Sequence, residues 1–205
     1  MCMCIRFKKG HMNINMNIAI LASGNGSNAE NIINSFRDSS TVNVSLIATN
    51  VRGAYVLERA KNLGIPSVYF SKHFWQDGQA IAAFMRQQDI SLIVLAGFLA
   101  KIPDALIHEW RGRIINIHPS LLPKFGGKGM YGDRVHEAVI AAGEKESGIT
   151  IHHINDRLDE GQVIAQYRCE VRPDDTPHTL AQRVHDLEYR YYPQVIAMLS
   201  EKMKE

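Results

Sequence analysis

A regular succession of short apolar runs, separated by segments of helical spacing, constrains this chain more than any other feature. Ile18-Ala19-Ile20-Leu21-Ala22 is apolar without alternation, as a strand covered on both faces must be, and it stops at the polar stretch Ser23-Gly24-Asn25-Gly26-Ser27-Asn28. Residues 29–37 then place Ile32, Ile33 and Phe36 at helical spacing, and residues 42–49 are β-branched and apolar enough for a second buried strand. The alternation continues with helices expected over 54–63, 79–88 and 103–110 and strands over 67–70, 92–96 and 114–118. A helix over 134–142, strands over 148–154 and 163–170, and an amphipathic helix over 179–198 complete the pattern. Strands alternating with helices predict an α/β fold: a Rossmann-like, mostly parallel twisted sheet with helices on both faces.

The 205 residues suffice for one core, and no linker, repeat or low-complexity tract divides them. A single domain over 17–199 is expected, preceded by an extension, residues 1–16, outside the fold and followed by a charged tail, 200–205. Twenty-three Lys and Arg against 21 Asp and Glu leave a formal +2, too weak a field to make nucleic acid the expected partner. No apolar run approaches the ~20 residues that span a bilayer, so no membrane partner is expected. Cys2, Cys4 and Cys169 cannot build a disulfide framework, and a reducing, cytoplasmic setting fits their number and spacing.

Three segments carry chemistry. The turn from Ser23 to Ala29 contains G-x-G-x-x-A between strand and helix, a geometry that aims backbone N–H groups and a helix N-terminus at a phosphate. The same spacing also suits a tight turn that needs only glycine's conformational freedom. No Gly-Lys-Ser/Thr follows, and the second strand ends in Thr49-Asn50 rather than an acidic ribose ligand, so a phosphomonoester fits better than ATP or NAD. Asn116 and His118 share one face at the C-terminal end of an isoleucine strand, where open α/β sheets place ligands. Histidine can carry a proton near neutral pH, and a carboxamide can donate to an oxygen that becomes negative. The alternative is an asparagine and a histidine satisfied by nearby backbone in the core.

After this pair, residues 119–132 form a glycine-rich loop longer than structural connections usually are. The acidic turn Asn155-Asp156-Arg157-Leu158-Asp159-Glu160-Gly161 reads by itself as a solvated loop, and gains interest as a source of a carboxylate for His118. Of His152 and His153, alternation turns one inward; His152 is the candidate to line the same crevice, and a buried structural histidine is the alternative. No metal-ligand spacing is present, and no metal is expected.

Ala19 to Asn28, Val94-Leu95-Ala96-Gly97-Phe98-Leu99, Ile115-Asn116-Ile117-His118-Pro119-Ser120-Leu121-Leu122-Pro123 and Leu158-Asp159-Glu160-Gly161 together resemble the phosphoribosylglycinamide formyltransferase family, folate-dependent enzymes of purine synthesis. The resemblance runs over about residues 17–199. It implies that 10-formyltetrahydrofolate, as co-substrate, gives its formyl group to the amine of glycinamide ribonucleotide, with no metal. It implies that Asn116 binds the formyl oxygen, His118 acts as general acid and Asp159 orients or charges His118. It further implies phosphoribosyl binding by Gly26, Ser27, Asn28, Ala29 and Glu30, and folate binding by Leu99, Ala100, Lys101, Ile102, Asn116, Asn155, Asp156, Arg157, Leu158 and Asp159. A homodimer is the one assembly entertained.

Residues 124–132 are longer and richer in glycine than the commonest family loop, and the family's arginine near the helix at Gln79 has no clear counterpart. No ligand contact is therefore carried over to either place. Two rivals stand beside the transferase: a formyltetrahydrofolate deformylase, which directs water at the formyl carbon, and a catalytically silent phosphosugar-binding module that has kept the fold.

Overall fold

The computed structural model describes residues 16–203, and each apolar run in that range forms a strand of one seven-stranded sheet. The strands are β1 (Met16–Leu21), β2 (Val42–Thr49), β3 (Ser67–Tyr69), β4 (Leu92–Leu95), β5 (Ile114–His118), β6 (Glu146–His153) and β7 (Val163–Glu170). Their order is β3-β2-β1-β4-β5-β6-β7. The first five are parallel, whereas β6 is antiparallel to β5 and β7 antiparallel to β6. The order reverses between β1 and β4, the switch point at which open α/β sheets leave a crevice beyond the strands' C-terminal ends.

Period-two alternation sorts the strand residues into two cores. Ile18, Ile20 and Val94 face one side, packed with α1 (Ser27–Ser35), α2 (Tyr55–Asn62), α6 (Asp133–Ala141) and α7 (Pro177–Lys202). Ala19, Leu21, Ile93 and Leu95 face the other, against α3 (Lys72–Gln76), α4 (Gly78–Gln87) and α5 (Asp104–Glu109). Trp110 and Trp75 are buried in this second core, and truncating a core tryptophan to alanine costs about 3–5 kcal/mol. On the opposite face Tyr192 donates its hydroxyl to the Leu95 carbonyl at 2.9 Å, tying α7 to the sheet just below the crevice.

Several boundaries differ from the sequence expectation. Met16, assigned above to an extension, is buried in β1 and its N–H donates to the Thr41 carbonyl; the rest of that extension, 1–15, lies outside the described residues. The tail is shorter than expected, because α7 continues to Lys202 and Ser200 is one of its buried residues. Helix α7 also starts earlier, at Pro177, where Thr176 and Thr179 form a reciprocal cap. Helix α1 starts at Ser27 rather than Ala29, since Gly26 at φ 76° ends the turn in a left-handed conformation. The short α3 was not anticipated; the Ser71 side chain caps it by accepting from the Phe74 N–H.

Candidate active site

The C-terminal ends of the central strands are level: Leu21 pairs with Leu95, and Leu95 with Asn116. Above this row opens a cavity of about 800 Å³, walled at one end by the turn 24–28 and at the other by residues 97–102 and 154–159. The 127–132 loop and parts of α6 and α7 close its side. Asn116 and His118 project into it from β5, two residues apart on one face.

Asp159 reaches His118 from the acidic turn. It sits at φ 57°, and its Oδ2 accepts from the Gly127 N–H at 2.8 Å while lying 3.7 Å from His118 Nδ1. That separation exceeds a hydrogen bond, so the carboxylate stands beside the ring without bonding to it directly. The other nitrogen, Nε2, donates to the Phe125 carbonyl at 2.8 Å and fixes the ring plane. Gly126 permits this approach, because a Cβ there would stand 2.5 Å from Leu122 and 3.3 Å from the Cβ of Asp159.

His152 does not line the cavity, contrary to expectation. Antiparallel pairing puts it opposite Asn116, and its ring is fully buried behind that residue. Nδ1 donates to the His153 carbonyl at 2.9 Å, and Nε2 stands 3.2 Å from Asn116 Nδ2. Burial holds the His152 pKa below the ordinary value of 6.5, so the ring is neutral at pH 7. Its Nε2 lone pair therefore accepts from the Asn116 carboxamide. One amide hydrogen is thereby fixed, and the second is left to face the cavity.

At the turn, Gly26, Ser27 and Asn28 line the cavity, and the first N–H groups of α1 have no side-chain cap. Two residues grouped with them above do not line it. Ala29 is buried in the core, and Glu30 is turned to the Arg59 guanidinium, because helical geometry carries both away from the mouth. The segments Leu99, Ala100, Lys101, Ile102 and Asn155, Asp156, Arg157, Leu158 all line the opposite end. There the exposed side chains of Leu99 and Leu158 offer apolar surface for a flat ring. Ser23 joins the two ends: its hydroxyl donates to Asn50 Oδ1 at 2.7 Å and accepts from the Leu99 N–H at 2.9 Å.

Further lining residues were not singled out from sequence. Glu188 on α7 is buried, accepts from Asn28 Nδ2 at 2.8 Å, and pairs with His185 Nδ1 at 2.8 Å. That hydrogen bond raises the pKa of His185. His136 on α6 is buried with Nδ1 unpaired among the described residues, and burial lowers its pKa. A signal for Glu188 existed: it is the charged member of the buried series Leu180, Ala181, Val184, Glu188 and Tyr192. Among the described residues, no three His, Cys, Asp or Glu side chains are grouped to hold a metal ion.

An amide donor, a histidine and a carboxylate converge between the turn at Gly26 and the apolar surface of Leu99 and Leu158 in an α/β sheet, and the chain belongs to the formyl transferase family, whose model matches residues 16–196. It is 40% identical over 186 residues, 88% of this chain and 93% of the relative, to the phosphoribosylglycinamide formyltransferase of Bacillus subtilis (strain 168). It is 38% identical over 189 residues to the trifunctional purine biosynthetic protein adenosine-3 of Drosophila melanogaster, covering 89% of this chain and only 14% of that protein's length. The crystal structure of phosphoribosylglycinamide formyltransferase from Anaplasma phagocytophilum superposes with a TM-score of 0.84 at 33% identity, covering 92% of this chain and 89% of that one.

Proposed function

We propose that this chain transfers the formyl group of 10-formyltetrahydrofolate to the amine of glycinamide ribonucleotide, a step of purine nucleotide synthesis in the cytoplasm. The observation that carries the reading is the convergence of Asn116, His118 and Asp159 on one cavity between the turn at Gly26 and the slot at Leu99 and Leu158. The ribonucleotide's phosphate meets the open N–H groups of α1, and the folate ring enters between residues 99–102 and 155–158.

The substrate's own amine is the nucleophile. It attacks the formyl carbon, a C–N bond forms, and the carbonyl oxygen becomes an oxyanion that accepts from the free amide hydrogen of Asn116 and from His118. The tetrahedral intermediate collapses as its C–N bond to the folate breaks. The proton lost by the attacking amine is delivered to the folate nitrogen, with His118 as carrier and Asp159 balancing its charge.

Mixing purified protein with 10-formyltetrahydrofolate and following deformylation spectroscopically, with and without glycinamide ribonucleotide, tests this reading. Turnover that requires the ribonucleotide is expected. Equal turnover in water alone makes the protein a deformylase, and none in either case makes it a binding module.

A further inference from the structure

The acceptor's phosphate is a dianion, yet the turn that faces it carries no cation, and the acidic residue in the first turn of α1, Glu30, is already matched by Arg59. Three Lys or Arg side chains line the cavity: Lys101, Lys128 and Arg157. Lys101 pairs with Asp104 at 2.9 Å and Arg157 with Glu160 at 3.5 Å, both at the slot end. Lys128 has no ion-pair or hydrogen-bond partner among the described residues. It stands between Gly127 and Gly129, both at φ 88°, at the exposed centre of the loop.

The two ends of that loop locate it. Gly127 is held by Asp159 at the reacting centre, and the far end enters α6, where buried His136 lies within electrostatic reach of Glu188, the partner of Asn28. Lys128 thus belongs to the stretch running from Asp159 toward the N-terminus of α1. Of the other nearby basic groups, Arg134 rests over the Tyr131 ring at 5.2 Å, Arg59 is engaged by Asn25 and Glu30, and His185 is paired with Glu188. A second feature calls for a polar ligand in this half: His136, 2% exposed and lining the cavity, leaves Nδ1 without a partner among the described residues.

We propose that Lys128 binds the phosphate of the acceptor from the side opposite the α1 amides, which makes the 126–132 loop an acceptor-specific wall of the site. The assignment rests on the transfer reaction proposed above. A lysine on a glycine-flanked loop suits the role, because a point charge on a flexible stem can follow a tetrahedral anion without a fixed fork geometry.

Steady-state kinetics of Lys128→Gln and Lys128→Arg test it. Lys128→Gln is expected to raise the KM for glycinamide ribonucleotide by about tenfold to a hundredfold, the range for losing a charged hydrogen bond. The KM for the folate stays within about twofold, and Lys128→Arg recovers most of the loss. An unchanged acceptor KM overturns the proposal; so does a rise in the folate KM alone, which assigns Lys128 to the folate's carboxylates. Calorimetric titration of wild type and Lys128→Gln with inorganic phosphate separates this assignment from the reaction. Weaker binding by the variant supports Lys128 as the phosphate ligand even if the wild type proves not to be a transferase, and equal binding overturns it.

Discussion

Asn116 can present a hydrogen to an oxyanion only while its carboxamide keeps one orientation, and that orientation is set from behind. A flipped amide would direct Oδ1 at the Nε2 lone pair of His152, two acceptors face to face. His152→Leu removes the acceptor, and kcat is expected to fall by roughly tenfold or more with both KM values little changed, whereas His152→Gln restores part of it. Equal kcat in wild type and His152→Leu would show that Asn116 needs no such support. His118→Ala is expected to cut kcat by about 10²–10⁴-fold and leave calorimetric binding of glycinamide ribonucleotide nearly intact. Asn116 and His118 were legible because two polar residues two apart interrupt an isoleucine strand just before a long loop. Asp159 was less so: its burial and its contact with Gly127 arise only when the 126–132 loop folds over it. The position of His152 depended on the β5–β6 pairing, which periodicity does not reveal.

The phosphate-type turn keeps its shape through α2. The Val56 N–H donates to the Gly24 carbonyl at 3.2 Å, and the Val56 side chain fills the place that a Cβ on Gly26 would need. Arg59 donates from Nε to the Asn25 carbonyl at 2.9 Å and from Nη2 to Asn25 Oδ1 at 2.8 Å, and also pairs with Glu30. Removing this fork with Arg59→Met is expected to raise the KM for the ribonucleotide about tenfold while kcat at saturation holds, as initial-rate measurements would show; Arg59→Lys cannot reproduce the fork and rescues poorly. The parallel elements of the fold were readable because their strands are continuous apolar runs between helical segments. The direction of β7 could also be inferred, since the connection from β6 is shorter than the roughly dozen residues a parallel crossover needs. The direction of β6 could not, because the helix α6 that precedes it fits either sense.

Over the whole molecule, buried His136 and His152 and half-buried His153 set the response to acid. Burial lowers the pKa values of His136, His152 and His153 below 6.5, so the folded chain resists protons that the unfolded chain takes up. Their contribution is complete above pH 6.5 and declines as the pH falls through that value. His185 works in the opposite sense, its pKa being raised by Glu188, and Asp175, held low by Arg183, gives way only at much lower pH. Thermal unfolding is therefore expected to show a Tm that drops between pH 7 and pH 5, with a shallower drop in His153→Gln; a Tm independent of pH across that interval would contradict it. The mostly parallel sheet followed from the alternating pattern, and the two-sided core from the lack of polar residues in its strands, whereas the order of the strands comes from the structure alone. The closing side of the cavity did not, because α6, α7 and the 127–132 loop meet there only in three dimensions. Ser23 gives that assembly a further property. One hydroxyl holds the β1 turn to the segment that begins at Leu99, so a ligand that tightens one side acts on the other through the same bond. Thermodynamic linkage then makes the effect mutual: whatever factor the acceptor adds to the affinity for the formyl donor, the donor returns to the acceptor.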